Sequence, residues 1–339
     1  MKRPTINDIA RRAGVSIGAV SYALNGQPGV SAATRERIVE IANEIGWRPN
    51  VAARALSAQR AHAVGLIIAR AARTLGVEPF FMQFIAGMEA ELSASRTALL
   101  LQVVTDHDAA NEAVRLWWAE RRIDGVIVTD LWHEDTRIPV LNDLGIPAVL
   151  VGRPRADSAI PGVWSDDAAA ITAVVDYLVT LGHRRIARVA GLHSLDHTQV
   201  RTKAFLAAAK HHRLAGPDVV ETDYSWEEGA RATRELLTAK KRPTAITYDN
   251  DVMAVAALSV AREMGIAVPD EVSIVAGDDS QLCVLVNPSL TALSRDVSAY
   301  GSHAARTLLQ AVEEKHPDSF QDVTPRLVPR ASTAPAARR

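Results

Sequence analysis

The 339 residues of the chain carry a formal net charge of −1 at pH 7, and 48% of them are hydrophobic. This composition is typical of a globular protein with more than one domain, and the sequence has neither an apolar signal segment nor an apolar run of about 18 residues that would span a membrane. The single cysteine, Cys283, excludes an internal disulfide and fits a reducing compartment, so we expect a cytoplasmic protein.

Residues 5–47 show the apolar spacing of three short helices. Each predicted helix begins at a residue that can cap it: Thr5, Ser16 or Ser31. Because only Gly14 and Val15 separate the first two helices, the pattern predicts a helix-turn-helix module, whose second helix enters the major groove of DNA. A three-helix adaptor that binds protein has the same pattern and is the alternative.

The second predicted helix leaves several side chains free to meet base edges. On a helical wheel Gly18 and Tyr22 point away from the shared core, and Ile17 lies at the exposed start. Charge agrees, because residues 1–60 carry a net charge of +5 and the rest of the chain carries −6. The candidate DNA contacts of this module are Thr5, Ser16, Ile17, Gly18, Ala19, Ser21, Tyr22, Asn25 and Ser31.

From residue 63 onward, apolar runs of strand length alternate with segments of helix length. The predicted strands are residues 63–69, 98–104, 124–130, 147–153, 185–191, 218–225, 244–251 and 272–279. Continuous apolar strands between helices predict parallel sheets that are buried on both faces. The break near residues 162–167 indicates two sub-domains, and ligands of such folds bind in a cleft at the carboxyl ends of the strands.

Polar side chains follow these predicted strands. The candidates are Asp166, Tyr224, Asn250 and Asp278 at strand ends, with Arg201 at the start of a helix. Together they supply the acceptors, donors and flat apolar surface that a polyhydroxylated ligand needs. The segment after the first strand is expected to supply the opposite wall, through Arg70, Phe80 and Phe81. For each residue alone, a helix cap or a surface salt bridge is the alternative.

Several longer motifs resemble the LacI family of bacterial transcriptional regulators. They are GVSIGAVSYALNG, VSAATRERI, GWRPNVAARALS, LGHRRIARVAG, NDVMA and PRLVPRAS, and together they extend over nearly the whole chain. The resemblance implies an N-terminal three-helix helix-turn-helix DNA-binding domain plus a hinge helix. It further implies an α/β periplasmic-binding-protein-like core of parallel sheets in two sub-domains. The five strand-end and helix-start candidates coincide with the family's effector-contact positions.

The same resemblance gives a role to the segment after the third helix. In the family this segment forms a short hinge helix on DNA, and a leucine inserts into the minor groove. Leu56 matches that leucine, and Asn50 and Ala53 are the other candidate DNA contacts of the segment. Small and apolar residues here are compatible with close helix packing, while a flexible linker with one exposed leucine is the alternative.

The predicted domain boundaries follow from these patterns. They are a DNA-binding domain at 1–47, a hinge helix or linker at 48–61, an effector-binding and dimerisation core at 62–332, and a disordered tail at 333–339. Within the core, the N-sub-domain comprises about 62–163 and 294–324, and the C-sub-domain about 164–293 and 325–332.

The resemblance implies a sequence-specific regulator that represses carbohydrate-utilisation genes and changes its operator affinity when a small sugar binds between the sub-domains. A purine-type co-repressor is the alternative effector, and a cytosolic ligand-binding protein without DNA function is the alternative class. A pseudo-palindromic operator predicts a homodimer. The sequence has no catalytic motif, metal-ligand pattern or cofactor motif, so we expect no enzyme activity, no metal, no cofactor and no membrane partner, and a location at the nucleoid.

Two departures from the family pattern concern specificity. Many members have an arginine where this chain has Tyr22, and larger polar residues where it has Gly18. An aromatic residue usually precedes the pair of acids that begins at Asp278, whereas this chain has Ala276 and Gly277 there. The first departure leaves the base preference open, and the second removes one possible wall of the ligand site.

Overall fold

The computed structural model describes residues 4–47, 60–70, 75–156 and 158–337. The chain forms two compact units, Met1–Ala61 and His62–Arg339. Among the described residues, no helix combines the length and the apolar character that crossing a membrane requires. The same residues contain no group of three or more His, Cys, Asp or Glu side chains arranged to hold a metal ion.

The first unit contains three helices around one small core. They are α1 (Ile6–Ala13), α2 (Ile17–Leu24) and α3 (Ala32–Glu44). Ile9, Val20 and Ile38, one from each helix, are fully buried together. The Oγ of Ser16 accepts a hydrogen bond from the Ala19 amide at 3.1 Å and so caps α2, as its position before the helix predicts. The predicted helix-turn-helix arrangement is confirmed.

The second unit alternates strands and helices. Its first part contains β1 (Ala63–Ala69), α4 (Pro79–Ala94), β2 (Ala98–Val104), α5 (His107–Ala119), β3 (Gly125–Val128), α6 (Arg137–Leu144), β4 (Ala148–Val151) and β5 (Gly162–Trp164). Its second part contains α7 (Asp167–Thr180), β6 (Ile186–Ala190), α8 (Asp196–His211), β7 (Val219–Glu221), α9 (Trp226–Thr238), β8 (Ala245–Tyr248), α10 (Asp251–Glu263), β9 (Ser273–Ala276), α11 (Gln281–Leu285) and β10 (Thr291–Ser294). The chain then adds α12 (Val297–Val312), β11 (Phe320–Gln321) and β12 (Arg326–Val328).

These strands form two six-stranded sheets. The first has the order β11-β5-β4-β3-β1-β2 and the second β12-β10-β9-β8-β6-β7. Every pairing is parallel except that of β10 with β12. The predicted fold of parallel sheets in an α/β core is confirmed, with one antiparallel edge. The chain passes between the sheets after β5, after β10 and after β11, close to the predicted sub-domain boundaries.

One predicted strand has a different environment from the one expected. The apolar run 98–104 predicts a buried strand, yet β2 lies at the edge of the first sheet and most of its side chains are half-buried or exposed. Leu101 is 43% exposed. The exposure of this strand follows from its edge position in the sheet order, which its own residues do not determine.

The prediction of a disordered tail at 333–339 is wrong for its first residues. The Thr333 hydroxyl lies 2.8 Å from the hydroxyls of Tyr177 and Thr291, and the Ala336 amide donates to the Leu181 carbonyl at 2.8 Å. The Ala334 carbonyl lies 3.1 Å from Nε2 of His183. A terminal segment of small residues and proline is expected to be disordered only if its backbone and side chains find no hydrogen-bond partners. Here α7, the residues after it and the second sheet supply those partners.

Helices α4 and α12 pack so closely that two of their contact positions have no room for a side chain. A Cβ on Gly87 would lie 1.8 Å from the Ser298 carbonyl oxygen, and a Cβ on Gly301 would lie 2.1 Å from the Phe84 carbonyl oxygen. Glycine is therefore required at both positions because each one faces the backbone of the other helix. Because α12 follows directly after the β10 crossover, this contact fixes that crossover to the first sheet.

Candidate functional site

The exposed face of α2 is the candidate DNA-contacting surface of the first unit. Ile17 and Tyr22 are 52% and 49% exposed, and Gly18 lies between them on the surface. The Tyr22 ring lies against Gly29, where a Cβ would stand 3.5 Å from Cδ2 of the ring, so the ring has a defined direction. These positions agree with the predicted wheel, and their contact with DNA stays a prediction.

Two arginines of α3 are used inside the module. The Arg35 guanidinium donates to the carbonyl oxygens of Ala23 at 2.9 Å and Gln27 at 2.7 Å, and Arg37 donates to the Ala13 carbonyl. Cations at these carbonyls satisfy the free acceptors at the ends of α1 and α2. The net positive charge of this segment therefore also stabilises the turn between its helices.

The candidate minor-groove contacts Asn50, Ala53 and Leu56 lie outside the described residues. Their roles stay predictions from the sequence.

The candidate ligand site of the second unit is a cavity of about 310 Å³ between the two sheets. It lies at the carboxyl ends of parallel strands from both sheets, where this class of fold binds ligands. Of the predicted ligand residues, those that line it are Arg70, Phe80, Phe81, Arg201, Tyr224 and Asp278.

One wall of the cavity is organised by Arg70 at the end of β1. Its Nε and Nη2 donate to the two carboxylate oxygens of Asp130 at 2.7 and 3.1 Å, and its guanidinium carbon lies 4.6 Å from the centre of the Tyr224 ring. Glu78, the residue before α4, is buried nearby, and burial raises its pKa to about 7 although Arg70 opposes this. Arg70 therefore connects the first sheet to the tyrosine of the second.

The opposite wall contains a network of charges around Asp167. Nε of Arg201 donates to its Oδ2 at 3.1 Å, and Nη2 of Arg295 lies 3.5 Å from its Oδ1. These two cations hold the pKa of Asp167 at about 2 against the opposing effect of burial. Arg295 also lies 3.9 Å from Asp278, whose pKa is raised by burial. Asp167 lies shortly after β5 and Arg295 directly after β10, so the network joins two of the three connections between the sheets.

Asp166, predicted as a ligand contact, does not line the cavity in the structure. Its Oδ1 accepts from the Ala169 amide at 3.1 Å, which makes it the N-cap of α7, and it faces Arg153 at 3.4 Å. The carboxylate that lines the cavity is that of Asp167. Two adjacent acids before a helix compete for the cap, and the sequence alone does not say which one takes it.

Asn250, the second predicted ligand contact of this kind, also does not line the cavity. Its Oδ1 accepts from the Met253 amide at 2.9 Å and its Nδ2 donates to the Tyr224 carbonyl at 3.1 Å, so the side chain caps α10 and is fully buried. The preceding residue, Asp249, lines the cavity instead. Asn250 acts on the site by fixing the backbone of Tyr224.

Asp249 is also paired beneath the cavity. It forms an ion pair with Arg188 of β6, in which both side chains are fully buried, and its Oδ2 accepts from the Gly191 amide at 2.7 Å. Nη1 of Arg201 lies 3.8 Å from its Oδ1. A continuous series of opposite charges therefore runs from inside the second sheet to the cavity wall.

Tyr224 is held in a backbone conformation that few residues adopt. Its φ is +71°, and its ring occupies the space that a side chain on Gly191 would fill. Its hydroxyl lies 2.8 Å from Nε2 of His197 and 2.9 Å from the Thr198 hydroxyl. Burial lowers the pKa of His197 to about 4, so this imidazole is neutral at pH 7. Tyr224 could be predicted as a site residue because it is an aromatic residue at a strand end. Nothing in the sequence around His197 indicates that it also lines the cavity.

The cavity has an aromatic surface that the sequence reading missed. Trp164 at the end of β5 lines it, and the Arg153 guanidinium stacks on the indole with its carbon 3.9 Å from the ring centre. A flat ring beside paired carboxylates and guanidinium groups binds the two faces of a sugar, its apolar C–H surface and its hydroxyls. The strand-end position of Trp164 is the signal from which it could have been found.

One end of the cavity is closed by loops from both sheets. The Asp196 amide donates to the Leu131 carbonyl at 2.8 Å, and the His133 amide donates to the Ser194 carbonyl at 3.3 Å. Arg155 adds an ion pair with the Asp196 carboxylate at 3.1 Å. These contacts connect the loop after β3 with the loop after β6 and fix the width of the cavity on that side.

Comparison with known proteins agrees with the fold of both units. Residues 5–50 match the model of bacterial regulatory proteins of the lacI family, and residues 175–333 match a periplasmic binding protein-like domain. The chain is 31% identical to the HTH-type transcriptional regulator CelR of Thermobifida fusca, over 92% of each chain. It superposes on the Lac repressor dimer bound to operator and the anti-inducer ONPF with a TM-score of 0.87 and 26% identity, covering 98% of this chain and all of that one.

A solved complex of the regulator CelR with cellobiose gives a TM-score of 0.74 at 28% identity, covering 97% of this chain and 100% of that chain. Thus the helix-turn-helix unit and the two-sheet core are those of one family along nearly their whole length, and the chain belongs to the LacI family of bacterial transcriptional regulators.

Proposed function

We propose that the chain represses transcription as a homodimer on a pseudo-palindromic operator, and that a neutral sugar in the cavity of its core releases it from DNA. The observation that carries the ligand part is the pairing of charges in the cavity. Arg70, Arg201 and Arg295 each have a carboxylate partner within reach. An anionic ligand would have to displace one of these carboxylates, whereas a hydroxyl can donate to the carboxylate and accept from the guanidinium of an existing pair.

The aromatic groups of the cavity support the same ligand class. Trp164 offers an indole ring, and Phe80 adds a second, partly buried ring. The cavity of about 310 Å³ falls at the lower end of the range of small-molecule sites. The solved CelR complex contains cellobiose, which makes a neutral disaccharide the first probe. A purine remains the alternative effector and becomes an outcome of the test.

The homodimer is supported by apolar surface on the second sheet's side of the core. Val284 and Leu285 are 60% and 78% exposed on α11. They lie next to a concave surface that contains Leu258, Ile266 and Val286. Apolar side chains that are exposed together mark protein interfaces more often than free surface. Two protomers are also what a two-fold symmetric operator requires.

The proposed coupling passes through the crossovers. A ligand that bonds to Arg201 changes its contact with Asp167, and Asp167 and Arg295 lie directly after two of the connections between the sheets. A change in the angle between the sheets then alters the spacing of the two DNA-binding modules of the dimer. A coupling free energy of roughly 1 to 3 kcal/mol suffices for a useful switch. For Leu56, we propose insertion at the central step of the operator, on the sequence alone.

The experiment begins with recovery of the operator from sheared genomic DNA by the purified protein, followed by fluorescence anisotropy on that duplex. Cellobiose and other neutral sugars are titrated beside glucuronate, as an anionic sugar, and beside hypoxanthine and guanine. We expect a neutral sugar to lower operator affinity by about 5- to 150-fold. A response to the purines or to glucuronate alone would overturn the ligand assignment, and turnover of the sugar would show an enzyme.

Arg201→Ala is the test of the cavity. It should abolish the response to sugar, while the variant still binds the operator in the absence of sugar. The matched control is Arg234→Ala, because Arg234 forms a surface ion pair with Glu263 in which both side chains are more than half exposed. An unchanged sugar titration in the Arg201 variant would remove that residue from the site.

A further inference from the structure

The exposed face of the recognition helix α2 has an unusual chemical composition. The helix contains no acidic or basic residue, and its most exposed side chains are Ile17 and Tyr22. Gly18 between them contributes no side chain. The side-chain amide of Asn25, at the carboxyl end of the helix, lies 3.4 Å from the Ser21 hydroxyl and so is directed back toward the helix, and Gln27 lies beyond the end of α2. The face is therefore mainly apolar where it is most exposed.

The common polar means of base recognition are absent from this face. Guanine is read by an arginine or lysine that reaches its O6 and N7, and adenine by an asparagine or glutamine that reaches its N6 and N7. Arg35 is close in space to α2, but its guanidinium is held by the carbonyls of Ala23 and Gln27. The apolar feature that a base pair presents in the major groove is the 5-methyl group of thymine.

The local shape permits a close approach to such a methyl group. A Cβ on Gly18 would have only the Ser16 Oγ as a neighbour, at 3.8 Å, so the glycine is not required by packing inside the unit. It costs the helix up to about 1 kcal/mol in propensity and leaves a flat surface between Ile17 and Tyr22. The Tyr22 ring is meanwhile positioned by its contact with Gly29.

We infer that Ile17 and Tyr22 read thymine methyl groups, so that A·T pairs face the first two turns of α2 in each half of the operator. This inference rests on the proposed operator binding and adds the chemical identity of what is read. Specificity then comes mainly from apolar contact, and the Tyr22 hydroxyl supplies one hydrogen bond beside it.

The test replaces each thymine of the recovered operator by deoxyuridine, which lacks only the methyl group. At the positions under α2 we expect affinity to fall about fourfold for each thymine methyl group removed, the value for burying one methyl-sized group. Ile17→Ala should bind the natural operator more weakly and no longer distinguish thymine from deoxyuridine at its position. The matched control is Val39→Ala on α3, another exposed apolar side chain, which should keep the wild-type discrimination.

The outcomes separate this inference from the proposed function. Failure to recover any operator, with no salt-dependent DNA binding, would refute operator binding itself. Tight operator binding that deoxyuridine does not weaken at any position would overturn only the thymine reading. The latter result, combined with a large loss when 7-deazaguanine replaces guanine, would show that a polar group reads the half-site instead.

Discussion

Replacing Asp249 by asparagine tests whether the buried ion pair beneath the cavity stabilises the core as its geometry indicates. Asp249 and Arg188 are both fully buried. Among the residues the structure describes, Nε and Nη1 of Arg188 have no hydrogen-bond partner, so the Asp249 carboxylate is the group that balances this charge. Asparagine keeps the shape and can still accept from the Gly191 amide, but it leaves the guanidinium uncompensated. Removal of one partner from a buried pair costs about 3 to 5 kcal/mol, and we expect that loss in the free energy of unfolding.

The assay is urea unfolding of the full chain followed by circular dichroism, with Glu263→Gln as the control. Glu263 and Arg234 approach to 2.7 Å, but both are more than half exposed, so the control should lose at most about 1 kcal/mol. The double variant Arg188→Met with Asp249→Asn should lose less than the sum of the two single variants, because neither charge remains unpaired. A loss for Asp249→Asn that equals the control would refute the assignment of a buried and mutually dependent pair.

Three further outcomes follow from packing and titration. Because burial raises the pKa of Glu78 from 4.5 to about 7, the folded protein binds this proton more tightly than the unfolded chain does. The stability that the bound proton contributes is therefore fully present below pH 4.5 and is lost as the pH rises to about 7. Glu78→Gln should remove up to about 3 kcal/mol of pH dependence from the free energy of urea unfolding measured across that window. Gly87→Ala should lower the melting temperature and cost at least about 3 kcal/mol in the free energy of unfolding, since its Cβ would overlap the Ser298 carbonyl. The control is Gly145→Ala, where no atom lies within 4 Å of the added Cβ, and it should show only the smaller cost of its positive φ. Deletion of residues 333–339 should cost about 2 to 4 kcal/mol in urea unfolding through the lost hydrogen bonds, and an unchanged midpoint would restore the interpretation of this segment as a disordered tail.

The elements that local sequence determines could be predicted well. Strands such as Ala63–Ala69 follow from continuous branched apolar residues, and α2 follows from its cap at Ser16 and its apolar spacing. These signals are local, because a cap or a buried strand reflects residues within a few positions of each other. The fold class follows from the order in which such elements occur.

The errors concern features that depend on distant parts of the chain. At Asp166 and Asn250 the sequence places a polar residue at the correct strand end, but capping takes the predicted side chain and leaves its neighbour to face the cavity. The exposure of β2 depends on strand order. Trp164 lines the site only because the crossovers bring the two sheets together. The positive φ of Tyr224 requires a three-dimensional environment to maintain it.

The close contact of α4 and α12 also limits which substitutions this protein can accept during evolution. A larger residue at Gly87 or Gly301 would meet a main-chain carbonyl of the facing helix, at Ser298 or Phe84, and no side-chain substitution can remove a carbonyl. Where two side chains overlap, a second mutation that shortens one of them can restore the packing. No such second mutation exists here, because the overlapping atom belongs to the main chain. In evolutionary terms these two glycines should change only together with the path of the helices, while the surface that recognises DNA and the residues that line the cavity remain free to acquire new operators and new ligands.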